Sequence, residues 1–313
     1  MRILKQVLTL MLVLSTFFSI NLCTYTLVTS RCGINFGTKI IEPQRYLPFD
    51  SASEIVRIQT DVKLEGDIPT IDGAAALLPV YSAIVNAVYP SESVVFDGER
   101  YSIESSIVFT DTIKAYQGVV DGANDIILCA APSEQQQQYA EEKGVELVCT
   151  PIGYEAFVFF VNENNPIDSL TVEQIRDIFS GEITNWSEVG GPNRPINPLD
   201  RPEGSGSQTV MLKFMDGKEI KKNPLALIGG SVGFSFRYYV DCIVANEGVK
   251  MLSVNGIYPS EDNIRNGSYP IIQPFYAIYR ADNKNENLQK LIDFILSDEG
   301  QYIIDKSGYT SIK

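Results

Sequence analysis

The sequence predicts an α/β fold with a largely parallel or mixed sheet. From residue 69 onward, short apolar runs alternate with amphipathic segments, as in successive strand–helix–strand units. Several helix starts are marked by capping residues and several ends by glycine. The chain has 313 residues, 44% of them hydrophobic, which is enough for two domains or one large one.

The N-terminal segment predicts export. Within residues 1–22, Arg2 and Lys5 precede an uncharged apolar run, an order typical of a signal peptide or lipoprotein signal. Cys23 follows where a lipid-modified cysteine would lie, although the three residues before it lack the expected small residue. An uncleaved membrane anchor is the alternative. We therefore expect a secreted or cell-surface protein, anchored by Cys23 lipidation or by the uncleaved segment.

Composition argues against several classes of function. The formal net charge is −14, and removing residues 1–22 leaves −16, which disfavours nonspecific nucleic-acid binding. The absence of histidine removes the usual general base, the usual zinc ligand and every Ser-His or Cys-His pair. The five cysteines are odd in number and widely spaced, at positions 23, 32, 129, 149 and 242. They indicate neither a disulfide framework nor a metal site, and we expect no cofactor and no nucleic-acid partner.

The first half of the chain supplies a lead-in, a helix and a strand. Residues 24–66 show no strong periodicity and are expected to pack on the main body. An amphipathic helix is predicted over 75–89, with Pro79 in its first turn and its start beside residues 72–74. A buried strand is predicted at 125–131.

Capping signals and strand composition define the elements that follow. Ser133 with Gln136, and Thr171 with Gln174, form capping-box patterns whose helices end at glycines 144 and 181. Aromatic and β-branched residues predict strands at 155–162 and 274–280, and a final helical pattern covers 286–308.

Residues 199–214, LDRPEGSGSQTVMLKF, allow two interpretations. If Ser205, Gly206 and Ser207 form the first turn of a helix, its unpaired amides and dipole favour an anion, and Arg201 adds a guanidinium. The alternative is an ordinary serine-capped helix after a flexible turn. A nucleophile elbow and a phosphate loop both need glycine spacings that are absent, so binding without catalysis is favoured.

Two motifs in register extend this interpretation. IRDIFSGEITNWSEVGG at 175–191, followed by the R-x-x-G-S-G-S pattern at 201–207, resembles the phosphate-binding proteins of bacterial ABC importers. The resemblance continues through IDGAAALLPVYSAIVNAVYP, ANDIILCAAPSE, PIGYEAFVFFVN and SDEGQYIIDKSGYTSI, and so covers roughly residues 68–313.

The resemblance implies a type II periplasmic-binding-protein fold, in which two α/β lobes joined by two hinge strands close on a ligand. Lobe 1 would comprise residues 24–152 and 273–313, and lobe 2 residues 153–272. The hinge crossings are expected near 150–157 and 271–277.

In this family phosphate is held by helix N-termini and hydroxyls of both lobes, an arginine, and a carboxylate that accepts the ligand proton. The positions that match the lobe 2 half are Arg201, Ser205, Gly206 and Ser207. Those that match the lobe 1 half are Gly73, Ala74, Ala75, Thr110, Asp111 and Thr112. Alanines replace the usual hydroxyls at 74 and 75, and Ala130 and Ala131 lie where the acceptor carboxylate would fall, so Asp111 or Asp72 is the candidate replacement. Asp72 also has an alternative role as a helix cap.

The favoured function is therefore a non-enzymatic, monomeric solute-binding protein that captures phosphate or a related tetrahedral oxyanion for the membrane permease of an ABC importer. The alternative is a binding-protein-like sensor or adhesin with a degraded or altered site, a hypothesis motivated by the alanines. A phosphate-ester hydrolase on the same scaffold is disfavoured because the sequence offers neither a histidine nor a metal-ligand cluster.

Overall fold

The computed structural model describes residues 41–221, 230–241 and 248–313, together with Met11. The predictions for the export signal, for Cys23, Cys32 and Cys242, and for residues 24–40 of the lead-in fall outside these residues. None of the helices in the described ranges is both long and apolar enough to cross a membrane.

Strands and helices alternate along the described chain. The strands are β1 (Ile71–Gly73), β2 (Ile126–Ala130), β3 (Leu147–Asn162), β4 (Ser169–Leu170), β5 (Ile196–Pro198), β6 (Gly230–Phe236), β7 (Val249–Met251), β8 (Ser253–Val254), β9 (Ile272–Arg280) and β10 (Thr310–Ser311). The helices are α1 (Leu78–Val88), α2 (Thr112–Asp121), α3 (Glu134–Glu142), α4 (Val172–Ser180), α5 (Gly206–Phe214), α6 (Arg237–Tyr239), α7 (Glu261–Arg265), α8 (Leu288–Leu296) and α9 (Asp298–Lys306). Short 3₁₀ turns lie at Pro43–Tyr46, Ala75–Leu77, Ser91–Ser93 and Trp186–Val189.

The long strand β3 connects the two halves of the main sheet, whose order is β1-β2-β9-β3-β6-β5. Its first part pairs antiparallel with β9, and its last part pairs antiparallel with β6 and β7. The β1–β2 and β5–β6 pairs are parallel, which confirms the mixed sheet. The strand predicted at 155–162 is the second half of β3, because the chain stays extended from Leu147 onward.

Two α/β lobes form around separate hydrophobic cores. Lobe 1 contains one core built from residues 41–128, Ile152 and 275–309, and a second on the other face of β2 beneath α2 and α3. Alternate residues of β2 enter these two cores, as the period of two in a strand requires. Lobe 2 contains a core drawn from residues 156–271. Strands β3 and β9 run from one lobe into the other, as in the type II fold.

The structure confirms several elements that local signals in the sequence predict. The 3₁₀ turn at Ala75–Leu77 runs into α1, with Pro79 in the first turn. Both capping boxes form, at the starts of α3 and α4. The final amphipathic pattern at 286–308 forms two helices. The backbone of Ser297 is extended and ends α8, and its hydroxyl caps α9 by accepting the Gly300 amide at 3.2 Å. The described part of the lead-in packs into the first core through Ile41, Tyr46, Ile55 and Leu64.

Candidate functional site

A cavity of about 310 Å³ lies between the two lobes. The predicted site residues that line it are Ala74, Ala75, Asp111 and Thr112 of lobe 1, and Arg201, Ser205, Gly206 and Ser207 of lobe 2. Gly73 and Thr110 do not line it. Residues from nearly all of the expected loops are therefore brought together, although they are far apart in sequence.

The N-terminus of α5 forms the polar end of this cavity. Ser205 has an extended backbone and is the cap, one position before the helix, and its Oγ accepts the Gln208 amide at 3.3 Å. Gly204 adopts a positive φ of 79° in the turn that leads into it. Capping of Gln208 leaves the amides of Gly206 and Ser207 at the open end of the helix. The Ser207 hydroxyl lies 3.4 Å from the Ser235 hydroxyl of β6.

Arg201 is held beside this helix end by two contacts. Its backbone N–H donates to Gln208 Oε1 at 3.1 Å, which ties the loop to the first turn of α5. Its guanidinium carbon lies 5.5 Å from the centroid of the Tyr239 ring, within cation–π range. The arrangement places a permanent cation and a helix N-terminus on one wall.

Asp72 and Thr110 form a hydrogen bond with each other and do not line the cavity. The Thr110 hydroxyl donates to Asp72 Oδ2 at 2.6 Å, and the Thr110 and Gly73 amides donate to Oδ1 at 3.1 and 2.8 Å. Asp72 is fully buried in β1, and desolvation raises the pKa of its carboxyl. Asp72 therefore caps no helix and does not reach the cavity as a substitute acceptor. The Ala74 amide donates to Leu128 O at 2.9 Å, so this loop also has fewer usable amides than the sequence predicts.

Asp111 and Thr112 occupy the start of α2. Asp111 is its cap, and its Oδ1 accepts the Lys114 amide at 3.0 Å. Its other carboxylate oxygen lies 3.7 Å from Lys114 Nζ. Thr112 faces the α5 turn, because a Cβ added at Gly206 would lie 4.0 Å from Thr112 Oγ1. The sequence could show the capping role of Asp111 but not the direction of Thr112.

The lobes touch at one edge of the cavity. Gln136 of α3 is buried, and its Nε2 donates to Gly204 O across the cleft at 3.0 Å while its Oε1 accepts the Ser133 amide at 2.9 Å. A Cβ added at Gly204 would lie 3.4 Å from Ile113 Cγ1. This glutamine therefore completes a capping box and a contact between lobes at once.

Glu155 is a cavity residue that the sequence analysis missed. It lies on β3 opposite Gln273 of β9, is only 7% exposed, and lines the cavity. Its Oε1 accepts the Tyr238 amide at 2.6 Å. Burial raises the pKa of Glu155 to about 8, despite the opposing effects of that amide and of Arg237. The available signal was a single acid within the apolar segment EAFVFFVN.

Neighbouring charges belong to structural pairs. Arg237 pairs with Asp241 at 3.4 Å and with Glu261 at 3.2 Å. Across the described ranges, no three His, Cys, Asp or Glu side chains cluster in a way that could hold a metal ion. Besides its apolar lining, the site thus offers hydrogen-bond donors, the Arg201 guanidinium, the Asp111 carboxylate and the buried Glu155 carboxyl.

Comparison with known proteins agrees with this architecture. A family model described as a PBP superfamily domain matches residues 66–299, three quarters of the chain. The chain belongs to the PBP superfamily. Among relatives of this superfamily member, a phosphate-binding protein PstS of Borreliella burgdorferi is 24% identical over 269 residues, covering 79% of this chain and 90% of the relative.

Solved structures of superfamily members show the same fold. A Clostridium perfringens protein with bound phosphate, assigned as a phosphate ABC transporter substrate-binding protein, is 25% identical, with a TM-score of 0.58. The match covers 78% of this chain and 99% of that one. An ABC-type phosphate transport receptor from Vibrio cholerae is 21% identical, with a TM-score of 0.55 and coverage of 77% and 99%.

Proposed function

We propose that this chain is an extracytoplasmic solute-binding protein that captures phosphate or a related tetrahedral oxyanion for an ABC importer. The observation that carries the proposal is the convergence of Arg201 and the open N-terminus of α5 on one cavity between the lobes. The names of the relatives support the same ligand class and a membrane permease as the partner. The protein acts as a monomer and by binding alone.

The lobe 2 wall can surround an anion with donors. The amides of Gly206 and Ser207 point out of the helix start, where the dipole favours negative charge. The hydroxyls of Ser205 and Ser207 and the Arg201 guanidinium supply further charge-assisted hydrogen bonds. Thr112 brings a hydroxyl from lobe 1, opposite this group.

Glu155 supplies a carboxyl group to a site that lacks one at Ala130 and Ala131, but its role is that of a proton donor and not of an acceptor. Below its pKa of about 8 the carboxyl is neutral, so it can donate its proton to a ligand oxygen without repelling the anion. Its position on β3, the strand shared by both lobes, and its place in the cavity lining support this role. An anion bound beside it stabilises the neutral form further.

We also propose the lobe boundaries given above, residues 24–152 with 273–313 and residues 153–272. The separate cores support this division, since the lobe 2 core uses only residues 156–271. Binding then couples to closure about β3 and β9, with contacts to both lobes favouring the closed state. The N-terminal segment and Cys23 support export with membrane anchoring, through lipidation of Cys23 or through an uncleaved segment.

Titration calorimetry of the full chain with inorganic phosphate tests the proposal. We expect Arg201→Ala to weaken binding by about one to two powers of ten, the contribution of a hydrogen bond to a charged group. Arg100→Ala, which removes an exposed arginine that pairs with Asp97, is the matched control and should leave the affinity unchanged. Phosphate affinity that survives Arg201→Ala would instead favour the sensor or adhesin hypothesis, to which the apolar lobe 1 wall lends some support.

A further inference from the structure

The two walls of the cavity differ in chemistry. Lobe 2 presents Arg201 and three serines together with Pro202, Phe236 and Tyr239. Lobe 1 presents mostly apolar side chains, and its polar side chains in the lining are Asp111, Thr112 and Gln273. The apolar side chains are those of Ala74, Ala75, Ala76, Leu77, Ile113, Ala130 and Phe275. A ligand oxygen placed against such a wall would lose its water without gaining a hydrogen bond, which is unfavourable. The lobe 1 wall is therefore poorly suited to an anion that has oxygens on every side.

The apolar wall is already close to the polar one. A Cβ added at Gly206 would lie 3.4 Å from Ala130 Cβ, and the Gln136–Gly204 hydrogen bond of 3.0 Å spans the lobes. The cavity volume of about 310 Å³ is thus the space that remains with the lobes in contact. At about 30 Å³ for each water molecule, it corresponds to roughly ten waters. An inorganic phosphate ion, one phosphorus and four oxygens, fills only part of it.

We infer that this site takes a tetrahedral oxyanion carrying a small apolar substituent, an alkyl or aryl phosphonate or phosphate monoester. The inference rests on the proposed function and specifies its ligand class. The anionic group binds at Arg201 and the start of α5, and the substituent packs on Ala74–Leu77 and Phe275. Glu155, more than nine-tenths buried, provides a polar group between the two walls.

A homologous ligand series tests this inference by calorimetry on the full chain. The series is inorganic phosphate, methylphosphonate, ethylphosphonate and propylphosphonate. Methylphosphonate carries a methyl group in place of one phosphate oxygen, and ethylphosphonate and propylphosphonate each add one further carbon. Burial of each carbon added beyond methylphosphonate should tighten binding about fourfold. Phosphate that binds as tightly as, or more tightly than, every phosphonate would overturn the inference.

The same series separates this inference from the proposed function. If phosphate binds and Arg201→Ala weakens it, but the substituents bring no gain, the proposed function stands and the inference fails. If no member of the series binds the full chain, both fail. If the gain appears and Arg201→Ala weakens every ligand, both are supported.

A variant of the apolar wall tests where the substituent lies. Ala75→Leu fills the wall and should weaken propylphosphonate binding more than phosphate binding, so that the advantage of propylphosphonate is lost. Ala52→Leu adds the same bulk at an exposed alanine and should preserve the advantage. Ala75→Ser is the smaller change to use if the leucine variant does not fold. Its added hydroxyl should shift the preference toward phosphate. Retention of the full propyl advantage in both Ala75 variants would overturn the placement.

Discussion

Glu155 makes the stability of this protein depend on pH in a defined direction. Its pKa is about 8 in the folded protein, against an ordinary value of 4.5. Between these values the folded state holds a proton that the unfolded state releases, so stability falls as pH rises through this window. The slope is about 1.4 kcal/mol per pH unit, and the total reaches about 5 kcal/mol. Below pH 4.5 this loss of stability is absent, and above pH 8 it does not increase further.

Glu155→Gln isolates the effect because the amide oxygen can still accept the Tyr238 amide but cannot titrate. Urea unfolding from pH 5 to pH 9 without ligand should show the stability of the wild type falling relative to the variant up to about pH 8. Glu163→Gln, at an exposed acid just beyond β3, is the charge-matched control and should follow the wild type. Phosphate affinity should also fall above pH 8 in the wild type relative to Glu155→Gln, since an ionised carboxylate repels the anion. Parallel stability curves for wild type and Glu155→Gln would refute the buried, neutral carboxyl.

Two further predictions concern the cleft edge and the hinge. Gln136→Ala and Gln174→Ala each remove one capping-box glutamine, but of the two only Gln136 also donates across the cleft. Gln136→Ala should therefore weaken ligand binding by about two- to tenfold in calorimetry, whereas Gln174→Ala should not. Equal affinities for the two variants would show that the Gly204 contact has no role in closure. Gly153→Ala should lower the free energy of unfolding by about 1–3 kcal/mol in urea titrations, because its Cβ would lie 2.4 Å from Phe275 Cζ and 3.1 Å from Thr310 O. An unchanged unfolding midpoint would mean that the β3–β9 pairing adapts without strain at its register shift between Pro151 and Gly153.

Most of the features that the sequence predicted depend on near neighbours. Helix caps join residues three positions apart, so the boxes at Ser133 and Thr171 could be predicted directly. The Ser205 cap and Arg201 likewise lie within one short segment. Where the prediction missed, as at Ser297, a cap inside a continuous amphipathic pattern divided one predicted helix into two.

The lobe 1 half of the site could not be predicted from its residue types. Asp72 and Thr110 supply the polar groups that the resemblance calls for, but pairing across 38 positions turns both away from the cavity. A buried carboxylate is stable only if donors satisfy it, and the hydroxyl and two amides near Asp72 do so. The packing of β1 against the following loop determines the hydrogen-bond partners of these polar side chains.

By itself, the sequence determined the superfamily and the α/β alternation, and it predicted that Arg201 and the start of a helix lie together, because each of these signals lies in contiguous residues. Only the tertiary structure decided that Glu155 enters the cleft, since its burial depends on strands β3 and β9 and on the Tyr238 amide 83 positions away. It also decided that the alanines of two distant loops form one apolar wall. Solvent exclusion, which raises the pKa of Glu155, arises only when segments far apart in sequence pack together.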